Sequence, residues 1–240
     1  MNTDELEDEA ERLLDGGKLR RAERVLKQML AINANCLAAH FQLARVYRRT
    51  KKYDLALRHA RRTLRLSPNE RNACLNLGLI YDLMDNRKLA AFYYKKELSR
   101  NFGSPETHWN IGCLYFEKRQ WLRASKHLRY CFENAFKPHF EDATNKLAIC
   151  YHKLHDVRSY IDVFTEYVQI VPNAAWAFTN LGRALLAVKD YKSAVLRLTT
   201  AQRLGNRKSV VIELARAKDM LWKCVRRKSE KDANKLDFLC

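Results

Sequence analysis

The sequence predicts an all-α stack of short helix pairs, and three observations carry that prediction. The first is a recurring frame. Leu43-Ala44-Arg45-Val46-Tyr47 is followed by Tyr53, Ala56, Ala60 and Pro68, and the pattern returns about 34 residues later. Its later copies are Leu77-Gly78-Leu79-Ile80-Tyr81 with Ala90 and Tyr94, then Ile111-Gly112-Cys113-Leu114-Tyr115 with Ala124 and Leu128. Leu147-Ala148-Ile149-Cys150-Tyr151 with Phe164 and Pro172 follows, and Leu181-Gly182 with Leu185, Ala194, Leu198 and Ala201 is the last clear copy. The second observation is that apolar residues within each copy fall at helical spacing, in two runs split by a polar break. The third is scarcity of breakers: seven Gly and four Pro are too few for long linkers or an all-β fold.

Gly78, Gly112, Gly182, Ala44 and Ala148 stand at one position of the frame, where a small residue lets a second helix approach closely. One such helix pair cannot bury its apolar stripe alone, so stability requires stacking of several. These residues resemble the tetratricopeptide repeat family, whose Trp/Leu/Gly/Tyr then Ala/Phe/Pro pattern they follow over roughly residues 3 to 208. The resemblance implies a right-handed α-solenoid of about six helix-turn-helix units with a C-terminal capping helix, and a protein-binding scaffold function.

Taken in order, residues 3–36 read as a degenerate first repeat. Leu6, Ala10, Leu13 and Leu14 form one stripe, Gly16-Gly17 breaks it, and Ala22, Val25, Leu26, Met29 and Leu30 form the second. Carboxylates crowd the first helix start, which suits its dipole. Further repeats are expected at 37–70, 71–104, 105–140, 141–174 and 175–208. Between Gly112 and Ala148 the frame slips to 36 residues, which widens one inter-repeat turn. Residues 209–226 read as one amphipathic capping helix, through Val210, Leu214, Ala217 and Leu221, and 227–240 as a charged, frayed tail. The whole is expected to be a single solenoid, residues 3–226.

The formal net charge is +18, which bears on partners rather than fold. It favours an acidic peptide, nucleic acid or an anionic surface, against the plain reading of a generally basic exterior. Repeat two concentrates this charge. Arg58, Arg61, Arg62 and Arg65 share a helical face by their spacing, either as an anion-binding patch or as a solvated outer face. The sequence does not place aromatic residues beside them, as base stacking would need. Seven scattered Cys with no Cys-x-x-Cys suggest a reducing compartment. An acidic start without an apolar core, and the lack of a long apolar run, point to a cytoplasmic protein without a membrane span.

In the family, the first helix of each repeat lines a concave channel that takes extended peptides. The resemblance assigns that channel to particular residues here. Gln42, Asn76, Asn110, Lys146 and Asn180 each precede the motif's Leu or Ile, and Asn76, Asn110 and Asn180 look like an asparagine ladder. An amide offers both donor and acceptor to a peptide backbone. Leu79, Trp109, Phe116 and Trp176 lie on the same face as candidate side-chain anchors, with interhelical packing as the alternative for both Trp residues. Arg45, Arg49, Lys146 and Arg183 would favour an acidic segment or a free carboxylate. The family's carboxylate clamp is not met, because Leu75, Leu79 and Asp142 occupy three of its polar places.

No catalytic constellation is legible. His152 and His155 lack a third ligand at suitable spacing and read as a polar turn, and no Gly-rich phosphate loop or Gly-x-Ser-x-Gly exists. No metal or cofactor is expected. The sequence therefore predicts a non-catalytic scaffold that binds an extended, acidic peptide or partner segment in its groove. Nucleic-acid or other polyanion binding through the repeat-two face is the alternative, and self-association through terminal helices is a third.

Overall fold

A computed structural model describes residues 3–100, 104–134 and 137–236 of the chain. Side-chain surroundings are described for these residues except 138, 207–209 and 228–236. The chain divides into two compact units, residues 1–119 and 120–240. The ends of the expected third repeat, at Asn101-Phe102-Gly103, and of the tail, at 237–240, lie outside the described residues.

The first unit contains α1 (Thr3–Asp15), α2 (Leu19–Ile32), α3 (Leu37–Arg49), α4 (Tyr53–Leu66), α5 (Ala73–Leu83), α6 (Arg87–Leu98) and α7 (Pro105–Glu117). Each packs on the helix before it, and α3 also meets α5. The second unit contains α8 (Trp121–Glu133), α9 (Phe140–Lys153), α10 (Val157–Ile170), α11 (Ala175–Ala187), α12 (Tyr191–Arg203) and α13 (Arg207–Leu236), again stacked in order. No strand occurs among the described residues, and no described helix is long and apolar enough to cross a membrane.

The turns follow from one repeated piece of chemistry. Gly17, Lys51, Asp85, Arg119, His155 and Lys189 all take left-handed backbone, each just after the first helix of a pair. In five of these turns the next residue's N–H donates to the carbonyl five positions back, as Lys52 does to Tyr47 and Asn86 to Tyr81. That bond satisfies a helix-end carbonyl and reverses the chain. His155 thus serves a turn, as its sequence context suggested. Three second helices, α6, α10 and α12, then start on Asn86, Asp156 and Asp190, whose side chains accept from the N–H three residues on, while α2, α4 and α8 start without a side-chain cap.

Close approach within a pair depends on the small residue of the frame. A Cβ on Gly78 would stand 2.4 Å from the Tyr94 ring, and one on Gly182 would stand 2.6 Å from Leu198 Cγ. Tyr94, Leu198, Phe164 and Ala60, all one position of the frame, are buried. The two-residue slip in the frame appears as a 3₁₀ turn, Lys137–His139, between α8 and α9. The last helix departs from expectation. It runs 30 residues, past the anticipated end at 226, to Leu236. The charged segment that follows Val225 is rich in Lys and Arg, which are good helix formers, so charge alone does not end it.

Candidate functional site

The first helices α3, α5 and α7 of the first unit build a pocket of about 200 Å³. Phe41, Arg45 and Arg48 come from α3, Asn72, Leu75, Asn76 and Leu79 from α5 and its approach, and Glu106 from α7. Phe41, Leu75 and Leu79 supply an apolar wall, and two guanidinium groups supply charge. Arg45 Nη1 donates to Gln42 Oε1 at 2.8 Å. Arg48 is mostly buried, and its Nε finds no partner in the chain. Burial holds the Arg48 guanidinium below its usual pKa, while Glu106 pulls the other way.

Two further polar atoms share this condition. Asn76 is 5% exposed, yet its Oδ1 is buried without a partner. The Tyr94 hydroxyl is likewise buried and unpaired, and burial first, then Asp82, pushes its pKa up, with Arg48 opposing. Buried polar groups are paired in the great majority of cases. Arg48 and Asn76 line the pocket, Tyr94 packs against Gly78 of α5 outside that lining, and all three atoms lack a partner among the described residues. One of these is a cation, one an acceptor, and one able to act either way.

Asn72 enters α5 with left-handed backbone, φ 63°, and its own side chain makes no cap. The cap comes instead from Glu97 on α6, only 2% exposed, which accepts from the N–H of Asn72 at 3.1 Å and of Leu75 at 3.2 Å. A buried carboxylate at a helix N-terminus is stabilised by those N–H groups and the helix dipole. Glu97 thereby fixes the α5 turn that presents Leu75 and Asn76.

The structure sorts the residues expected from the sequence. Asn76, Arg45 and Leu79 line the pocket. Asn110, on α7, donates through Nδ2 to its own helix at Glu106 O, 2.9 Å, so that donor is turned inward on the backbone. Trp109 and Phe116 are half-buried on the same helix, and Arg49 is exposed. In the second unit, Lys146 on α9 and Asn180 on α11 are half-buried. Arg183 pairs with Glu213 of α13 through Nε at 2.9 Å and Nη2 at 2.7 Å. Trp176 packs between helices, its ring 5.1 Å from Tyr167 and 5.7 Å from Phe164 of α10. Arg48, Glu106 and Tyr94 were not picked out for the groove. The signal for Arg48 was available, since it lies three residues after Arg45 on one helix face.

On the second helix α4, Arg58 and Arg65 are exposed. Arg61 Nη2 donates to the Tyr81 hydroxyl of α5 at 2.7 Å, and Arg62 donates to Asn35 Oδ1. Three of the four arginines, Arg58, Arg61 and Arg65, are thus exposed, and two, Arg61 and Arg62, are tethered. Among the described residues no group of three His, Cys, Asp or Glu is placed to hold a metal ion. Burial pushes the Cys74 thiol up, and the Cys150 thiol up to about 12, so both stay protonated at neutral pH.

Comparison with known proteins reports on the same region. Models of the tetratricopeptide repeat match residues 7–71 and 72–102. No curated protein matches the sequence. Among solved structures, YrrB, described as a tetratricopeptide repeat protein with an unusual peptide-binding site, is 16% identical with a TM-score of 0.60. The alignment covers 80% of this chain and 97% of YrrB. PilW, described as a type IV pilus biogenesis factor, is 18% identical with a TM-score of 0.59, over 89% of this chain and 96% of its own. The Cut9–Hcn1 hetero-tetramer of the APC/C is 18% identical with a TM-score of 0.59. It aligns over 90% of this chain, which spans 43% of that longer one.

Proposed function

Since the chain belongs to the tetratricopeptide repeat family, and is therefore a protein-interaction scaffold, we propose that the inner face of α3, α5 and α7 receives an extended acidic segment of a protein partner. The observation that carries this reading is the pair of buried polar atoms on pocket-lining residues that have no partner among the described residues, Arg48 Nε and Asn76 Oδ1. Arg48 and Arg45 suit a carboxylate, Asn76 Oδ1 suits a backbone N–H, and Phe41, Leu75 and Leu79 suit an apolar neighbour. On α7 of the same unit, the half-buried Asn110 is proposed to continue backbone contacts, with Trp109 and Phe116 as anchors; the second unit's Lys146 and Asn180 are proposed as contacts of that unit's own first helices.

The test uses immobilised extended peptides that differ in Asp and Glu content. The intact chain should retain the acidic members. Arg48→Gln should weaken them at least tenfold, since a hydrogen bond to a charged group contributes about 1.5–3 kcal/mol. Equal retention of acidic and neutral peptides, or an unchanged profile for Arg48→Gln, would remove the reading.

A further inference from the structure

The outer face of the first unit carries a second, independent arrangement. The helices α2, α4 and α6 are the second members of successive pairs, so residues one frame apart lie in rows across them. One row is Lys27, Arg61 and Lys95; the next is Arg24, Arg58 and Phe92. All six are exposed. The acids of these helices offset only Lys27 of the six. Glu97 is buried, Glu23 is held by Lys27 at 2.8 Å and Lys52 at 3.7 Å, and Asp54 alone is exposed.

Folding also brings aromatic rings to the arginines, which sequence spacing concealed. Arg61 is bonded to the Tyr81 hydroxyl. The Tyr81 ring stacks on Tyr93 at 5.5 Å and 10°, and Phe92 meets Tyr93 edge-on at 5.2 Å. The outermost ring, Phe92, is 56% exposed. A chain of guanidinium and ring contacts therefore runs from α4 over α5 to α6 and ends in an open aromatic between Lys88 and Lys95. Cations that track a phosphate backbone, beside a free π-face, are what a single-stranded nucleic acid requires.

We propose that the outer face of α2, α4 and α6 binds single-stranded nucleic acid without sequence preference, with Arg58, Lys95 and Arg24 on phosphates and Phe92 under a base. The experiment is fluorescence anisotropy of the full chain with labelled oligouridylate and oligothymidylate of about 16 nucleotides. The two oligomers share the phosphodiester and the unstacked base, and their ratio tells RNA from DNA. Both should bind at about 50 mM salt, and log affinity should fall with log salt by about 0.7 per phosphate contact. Phe92→Ala should weaken the single strands at least fivefold, because stacking contributes about 1–3 kcal/mol per base. The same change should leave heparin binding alone. Arg58→Glu with Lys95→Glu, both at exposed positions, should abolish binding while the thermal melt is kept. No binding at low salt overturns the proposal. So does full binding by Phe92→Ala, or equal binding of duplex DNA, heparin or anionic vesicles, since each reduces the face to a general polyanion contact. Arg48→Gln, which decides the inner-face reading, should not alter oligomer binding, so the two proposals fail separately.

Discussion

The two units use the same frame and fill it differently. Glu97 of α6 and Tyr167 of α10 stand two frames apart at one position of the repeat, counting the two-residue slip. Both are buried, at 2% exposure each. In the first unit the residue is a carboxylate that caps α5. In the second it is a ring that stacks on Phe140 at 5.3 Å and touches Trp176. Rings continue in both directions, with Phe132 against Phe140 at 5.2 Å and Tyr160 against Phe164 at 4.9 Å. The second unit is thus held along α8 to α11 by area and stacking, with a few ion pairs besides. Arg129 pairs with Glu133 and Glu166, and Arg183 with Glu213. The first unit invests in directional bonds and leaves some unmade. One position of the repeat is thus filled by packing in the second unit and by hydrogen bonding in the first, where Arg48 Nε and Asn76 Oδ1 also lie buried without a partner among the described residues.

The largest expected effect breaks the comparison on its apolar side. Tyr167→Ala should destabilise the second unit by about 3–5 kcal/mol, as large-to-small changes in packed cores do. Hydrogen exchange should report faster opening of α9 to α11 and no change in α3 to α6. Glu97→Ala tests the polar side. Two N–H groups lose a charged acceptor in a buried place, and a loss of about 3 kcal/mol is expected, confined to α5 and α6. If both variants loosened the same helices, the distinction between the units would fail.

Two smaller changes sharpen the picture of the first unit. Gly78→Ala drives a methyl into the Tyr94 ring and should destabilise by about 1–3 kcal/mol, measured as a shift in the urea midpoint. Acid should also act there. His59 lies against His40, with Nδ1 atoms 2.8 Å apart, and its pKa is lowered to about 4, first by burial and then by His40. The folded form therefore holds His59 neutral, while the unfolded chain takes up the proton near 6.5. The contribution is complete above about pH 6.5 and is lost as pH falls toward 4. It amounts to about 1–2 kcal/mol after allowing for solvent screening. His59→Gln should flatten that part of the stability profile, and an unchanged slope would move the cause elsewhere.

The reach of the sequence can be judged from particular residues. The pairs of apolar runs, the break at Gly16-Gly17 and the slip before Ala148 all reappear as helices, turn and 3₁₀ segment, because each depends on local periodicity. Asn76, Arg45 and Leu79 converge because they hold fixed places in that period. What sequence could not supply was contact between residues far apart along the chain. Arg61 meets Tyr81 twenty positions away and Glu97 reaches back to Asn72, and neither follows from spacing within one helix. Arg183 was legible as a groove cation, but its engagement by Glu213 depends on where α13 lies. Trp176 was legible as large and apolar, but its ring contacts with Tyr167 and Phe164 depend on where α10 lies.

The match between Gly78 and Tyr94, and between Gly182 and Leu198, is made inside one hairpin. Each hairpin therefore carries its own lock and key. Ala44 has a small counterpart in Ala60, so a chimera joining the α3 strip to the α6 strip would press a methyl where Tyr94 tolerates none. Recombination within this chain is consequently permitted at the seams between hairpins and penalised within them. The natural cassette for engineering is the whole pair, whereas the inner pocket and the outer face each draw on several pairs and move only with a block of them.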